Sequence, residues 1–178
     1  MLTVKQKKWI ARLPDDDKIE ILPFDESSQK KFLKIKKKIK NRISESLRVE
    51  HRGSTSLRIA GQNEIDIYVP VSASVFNKNI LVPKLAKIFG QPKSYHQTRI
   101  RFRAVEHDKK IDIFLINKES NEWLNGIKFE NYLKTNVKTL REYEKLKQSC
   151  LGFSTKKYYE KKVAFINNIL SHKTIPKI

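Results

Sequence analysis

The sequence has a single cysteine, Cys150, so it can form no internal disulfide and no cysteine-based zinc cluster. A lone thiol is usually a small packed apolar group, and that is the role expected of Cys150. No apolar run reaches the roughly 18 residues that a membrane span requires, and no secretory leader is recognisable. A soluble protein of the reducing cytoplasm, with no membrane partner, is expected. Glycine is scarce, five in 178 residues. There is no GxxxxGK(S/T) loop, which excludes a Walker-type ATPase, and no GxGxxG, HExxH or GxSxG pattern. His51, His96, His107 and His172 are scattered without metal-ligand spacing and read as ordinary residues.

Acids are also few. Nineteen Asp and Glu face 38 Lys and Arg, a formal net charge of +19. A field of that sign attracts polyanions such as nucleic acid, nucleotides or anionic lipid. A solvated lysine-rich surface gives the same count, so charge alone does not decide between them.

Apolar residues make up 39% of the chain, enough for a core. Residues 1–17 are polar and basic and read as a loosely attached arm. "KIEILPF" (18–24) reads as a short strand stopped by Pro23. In the segment that follows, Phe32, Ile35, Ile39 and Ile43 recur at three- and four-residue steps, the spacing of an amphipathic helix. Asp25, Ser27 or Ser28 is positioned to cap it. "EIDIYVPV" (64–71) is a strand. "NILVPKLAKIFG" (79–90) is a helix that starts near Pro83 and stops at Gly90. Residues 97–117 read as a β-hairpin with its turn near His107 and Asp108. From Glu122 onward the spacing is helical, interrupted at Gly152. The order predicts an α+β fold. Residues 18–118 are the core and residues 119–178 are C-terminal helices packed on it as one compact unit.

The chemistry resides in the carboxylates. Residues two apart in a strand share a face. Glu64 and Asp66 therefore point away from Ile65, Ile67 and Val69, and Asp112 points away from Ile111, Ile113 and Leu115. Unpaired carboxylates on apolar strands are costly. Hard divalent cations would supply the counter-charge, and two such ions held about 3.5–4 Å apart serve displacement at phosphorus. Salt bridging is the competing account. Arg99, Arg101 and Arg103 lie on the partner strand, and a two-residue turn at 107–108 places Arg103 opposite Asp112. Gly53-Ser54 adds a second feature. A Gly-Ser turn opening a short helix aims backbone N–H groups at an anion, with the Ser54 and Ser56 hydroxyls beside them.

Gly-Ser, a spacer, acid–apolar–acid and a later third acid resemble the DNA polymerase beta-like nucleotidyltransferase superfamily. Within it, the chain is most similar to the GrpB family, from about Lys18 to Leu170. "VEHRGSTS" resembles the family's most recognisable motif. Tyr143, Leu146 and Lys147 in "FENYLKTNVKTLREYEKLK", and Tyr158, Lys162 and Phe165 in "YYEKKVAFI", are similar to its later phrases. Typical members continue after GSTS with Val-Pro-Gly-Leu and reach a single aspartate. This chain reads "LRIAGQNEID" instead, and adds Glu64 and Asp112.

The resemblance implies a nucleotidyltransferase-type mixed sheet with flanking helices. It also implies transfer of a nucleoside monophosphate from an NTP to an acceptor hydroxyl, possibly that of RNA or a tRNA end. Glu64, Asp66 and Asp112 would hold two Mg²⁺ or Mn²⁺ ions. Gly53, Ser54, Ser56, Lys147 and Lys162 would bind the nucleotide. The alternative expectation is a non-catalytic module of the same fold that binds nucleic acid or nucleotide.

Overall fold

The computed structural model describes residues 1–106 and 109–171. The expected turn residues His107 and Asp108, and His172, lie outside the described residues. The chain packs as two units. One comprises Phe24–Arg58 and Asn63–Leu124, and the other comprises Met1–Pro23, Ile59–Gln62 and the chain from Asn125 onward.

Period-two alternation builds the sheet of the first unit. Its strands are β1 (Glu50–Arg52), β2 (Glu64–Val71), β3 (Ser94–Tyr95), β4 (Arg99–Glu106) and β5 (Lys109–Asn117). The spatial order is β1-β2-β5-β4-β3. β2 and β5 run parallel, and the other neighbours are antiparallel. The β4–β5 register continues to Glu106 opposite Lys109, as the hairpin reading expects.

One face of this sheet carries Ile65, Ile67 and Val69, with Ile111, Ile113, Leu115, Ile100 and Phe102 beside them. All are 2% exposed or less. They pack with Phe32, Ile35 and Ile39 of α2 (Ser27–Arg42), Phe76 of α4 (Ala73–Asn77) and Leu85 of α5 (Val82–Phe89). Burying this many branched side chains, at about 1.5–3 kcal/mol each, is the main stabilising term of the unit. The predicted stripe of α2 therefore faces the core. Asp25 serves its N-terminus by accepting from the Ser27 backbone N–H at 2.8 Å. Gly90 ends α5 at φ 80°, as expected.

Two short elements were not foreseen. α4 is started by Ser72, whose hydroxyl accepts from the Val75 N–H at 3.4 Å, and β3 pairs with β4 at one edge of the sheet.

The second unit contains α1 (Val4–Ile10), most of α6 (Asn121–Thr135), α7 (Val137–Gln148) and α8 (Thr155–Ser171). The segment read as an arm holds α1. A Thr3–Gln6 capping box starts this helix, and Ile10 is buried at 1% exposure. Gln6 and Asn167 exchange amide hydrogen bonds at 3.1 and 2.8 Å. Among the described residues, "KIEILPF" makes one isolated bridge, Leu22 to Gly61, and is not a sheet strand. Its backbone is partly satisfied elsewhere, since Ile19 donates to the Phe153 carbonyl at 2.9 Å and accepts from Gly152 at 3.1 Å. Cys150 is fully buried with Ile19 and Tyr158, as its packing role requires. Gly152 separates α7 from α8 at φ 77°. No described helix is long and apolar enough to cross a membrane.

Candidate functional site

The parallel β2–β5 register sets Asp66 beside Asp112 and Glu64 beside Lys110. Because paired residues of adjacent strands share a face, the three acids converge on the side of the sheet away from α2. One carboxylate oxygen from each of Glu64, Asp66 and Asp112 lies within 4.8 Å of the others. Asp112 is the most buried of the three, at 3% exposure.

β1 leads directly into α3 (Gly53–Ser56), and Arg52 stands opposite Asp66 across the antiparallel pair. Gly53 has a φ of 75°, a left-handed value that a side chain disfavours. A Cβ at Gly53 would also collide with the Asp66 carboxylate, meeting its Cγ at 3.1 Å. Only glycine lets the backbone lie this close to the acid. Ser56 turns inward, donating its hydroxyl to the Gly53 carbonyl at 2.9 Å, and so braces the turn.

Arg103 is opposite Asp112, as the hairpin arithmetic predicts. Its Nε donates to Oδ1 at 2.7 Å and its Nη2 to Oδ2 at 2.8 Å, a bidentate fork. Nη2 also reaches Glu64 Oε1 at 3.4 Å, and Arg101 Nη1 stands 3.7 Å from Asp112 Oδ2. The Asp112 hydrogen bonds hold the Arg103 guanidinium above the usual arginine range against the opposing effect of burial, with the charges of Asp112, Glu64 and Asp66 adding to the shift. Three carboxylates thus converge beside the Arg103 fork, and a hard-oxygen donor set fits a divalent cation.

Beyond the acids, the same face becomes aromatic. Tyr68 stacks on Phe114 at 4.7 Å and lies 5.8 Å from Trp123. The Arg52 guanidinium sits over Trp123 at 4.8 Å and contacts Glu50 at 3.4 Å. Arg52 is buried at 7% exposure. The sequence reading overlooked this cation. Its signal is a position immediately before Gly53, two residues after an acid on a short strand. His51 is a structural residue: its ring stacks on Phe32, and its nitrogens reach Gln29 at 3.1 Å and Thr55 at 2.9 Å.

Lys147 and Lys162 belong to the other unit. Lys147 is buried at 3% exposure, its ammonium 5.1 Å from the centre of the Tyr143 ring. Lys162 lies over the rings of Tyr158 and Tyr159 at 5.5 and 5.1 Å. Phe165 stacks on Tyr143 at 5.3 Å.

Comparison with solved structures returns the conserved protein GrpB from Enterococcus faecalis. It is 22% identical with a TM-score of 0.65, over 84% of this chain and 93% of that one. A second match is the Cid1 poly(U) polymerase, at 15% identity and a TM-score of 0.46, over 81% of this chain and 47% of that protein. A search of curated protein sequences returned no match. The family model described as GrpB protein matches residues 18–172. The chain belongs to the GrpB family.

Proposed function

We propose that the protein is a nucleotidyltransferase that moves a nucleoside monophosphate from an NTP to an acceptor hydroxyl, the α–β phosphoanhydride bond breaking and pyrophosphate leaving, with RNA as the favoured acceptor. The observation that carries this reading is the convergence of Glu64, Asp66 and Asp112 against a glycine turn too tight for any side chain. A purely structural acid cluster has no need of the Gly53 approach. Glu64, Asp66 and Asp112 are the residues that would hold Mg²⁺ or Mn²⁺, which when bound neutralises triphosphate charge and polarises the acceptor hydroxyl. Ser54, at the opening of α3, offers its hydroxyl and backbone to the β- and γ-phosphates. Asp112 takes up the acceptor proton, and Arg103 steadies its carboxylate plane until then. The aromatic floor of Tyr68, Phe114 and Trp123 excludes water from the deep side of the cluster.

The test is label transfer from α-labelled NTPs to total RNA by the native protein, Asp66→Asn and Asp112→Asn. Transfer by the native protein, with a fall of about 10²-fold or more in both variants, is expected when charge-stabilising groups are removed. Undiminished transfer by both variants overturns the reading. A second reading, a non-catalytic binding module, is favoured by one observation: Arg103 already occupies both oxygens of Asp112. It predicts nucleotide or RNA binding that is indifferent to divalent cations.

A further inference from the structure

The basic residues are segregated. α2 carries seven lysines and Arg42 within sixteen residues and no acid. α5 adds Lys84 and Lys87, again without an acid. No Asp or Glu occurs anywhere from Ile67 to Val105. The two helices together contribute ten positive charges and no negative one, over half of the formal excess of +19. An ordinary solvated helix interleaves the signs. α7 does so, with Glu142 and Glu144 among its basic residues and an Arg141–Glu144 pair at 3.0 Å.

The arrangement of these charges is specific. Phe32, Ile35 and Ile39 point α2 at the core, so Lys30, Lys34 and Lys37 fall on its outer face and are exposed. Lys31, Lys34 and Lys40 contact Asp25, Glu106 and Glu45. Lys30, Lys37 and Arg42 make no ion pair among the described residues. α5 adjoins this face, since Lys38 lies over the Phe89 ring at 5.7 Å. The face spans about 24 Å at 1.5 Å per residue. It includes a shallow depression lined by Leu33, Lys36, Lys37, Lys40, Asn41 and Glu45, where the Asn41 amide adds a neutral donor.

The chemistry selects the partner. The apolar stripe of α2 is already buried in the core, and exposed Leu33 alone is no apolar face to insert into a bilayer. Neither helix exposes an aromatic ring, because Phe32 is buried and Phe89 is half-buried beneath Lys38. Single-strand binding relies on such rings as stacking platforms. α2 lies against the sheet along its length and does not project, which is unsuited to entering a DNA major groove. Double-stranded RNA is recognised largely by its shape and through its phosphates and 2′-hydroxyls, with no helix entering a major groove.

We propose that the outer face of α2, extended by Lys84 and Lys87, is a docking surface for a duplex stem of RNA held through its phosphates. The acids lie on the opposite face of the sheet, yet the two sites share one end of it. Lys109 Nζ contacts Asp25 Oδ2 at 2.5 Å and Ser28 Oγ at 3.1 Å, tying the start of α2 to β5 three residues before Asp112. A stem lying along α2 therefore presents its end at the edge where Glu64, Asp66 and Asp112 stand. The choice of RNA rests on the proposed transfer to an RNA hydroxyl; the phosphate-binding face does not.

The experiment measures binding of a fluorescent RNA hairpin to the full-length protein in EDTA without NTP, across a salt series. A Lys30→Gln, Lys37→Gln, Lys84→Gln variant keeps helix propensity and removes three charges. It is expected to bind about tenfold or more weakly, and its log–log salt slope should be shallower by about 2–3. A Lys128→Gln, Lys138→Gln, Lys145→Gln variant removes the same charge from α6 and α7 and should match the native protein. Asp66→Asn should bind RNA normally, so loss of transfer without loss of binding separates the two proposals. Equal weakening by both triple variants, no hairpin binding, or tighter binding to a single strand, duplex DNA, polyglutamate or anionic vesicles overturns the docking surface.

Discussion

Replacing Arg103 by methionine removes one guanidinium and keeps most of the aliphatic stem. Asp112 then loses both hydrogen bonds of the fork while its side chain remains only 4% exposed. Breaking a buried pair from one side costs about 3–5 kcal/mol. Two features reduce this figure. Arg101 remains 3.7 Å from Asp112 Oδ2, and the Arg103 side chain is 31% exposed, so solvent screens the original pair. A loss of about 2 kcal/mol follows, which for a chain of this size lowers Tm by about 4–8 °C in EDTA. The same substitution removes a positive charge from the place where a divalent cation must sit. At an effective dielectric of about 20, a unit charge roughly 4 Å away opposes each charge of the ion by up to about 4 kcal/mol, or about 8 kcal/mol for a divalent cation. Mn²⁺ affinity should therefore rise by at least an order of magnitude. At Mn²⁺ a hundredfold above Kd, binding returns about 2.7 kcal/mol to the folded state. Thermal unfolding with and without Mn²⁺, together with titration calorimetry, reads both quantities. The expected pattern is a variant less stable than the native protein in EDTA and nearly equal to it in Mn²⁺. An identical deficit in both conditions, with unchanged Mn²⁺ affinity, would refute the idea that Arg103 and a cation are alternative partners of the acids.

Gly53→Ala combines a strained φ of 75° with a collision against Asp66, whereas Gly152→Ala, at φ 77° with open space around it, carries the strain alone. Urea unfolding should show a loss of about 1–2 kcal/mol at Gly152 and a larger one at Gly53, where Mn²⁺ binding should also weaken; equal losses and intact binding would show that the close approach is unimportant. Lys109, followed by Ser27, holds the Asp25 carboxyl well below the usual carboxylate range. A depressed folded-state pKa adds stability above the unfolded value of about 3.9 and forfeits it as pH falls through the folded value. Asp25→Asn should therefore flatten the acid-unfolding curve below about pH 4, and an unchanged slope would show that the Lys109 contact does not persist in solution.

Much of the sheet was legible because each strand obeys a period of two. Alternation alone placed Ile111 and Asp112 on opposite faces, and a two-residue turn fixed Arg103 against Asp112. Both outcomes need only local geometry. Gly-Ser followed by acid–apolar–acid also marked the neighbourhood where the carboxylates converge. Arg52 was not legible, because its burial depends on Trp123, seventy-one positions later, covering it. Nor was the course of residues 18–24, whose apolar side chains suggest a strand but whose partners are Gly61 and the Gly152–Phe153 loop. α4 and β3 are too short to carry a periodicity, and only the cap at Ser72 announces the first.

The pairing of β2 with β5 has a consequence for how the chain finds its fold. A slip of one residue between these strands would swing Asp112 beneath α2, into contact with Ile35 and Ile39, while pushing Ile111 or Ile113 among the charges. A slip of one residue in the hairpin would turn the arginine row inward. Carboxylates and guanidiniums on one side therefore act as alignment marks: each one-residue misalignment buries a lone charge, and the native register buries none. Substitutions that neutralise the acids should accordingly loosen the fidelity of strand pairing during refolding, even where the finished sheet is no less stable.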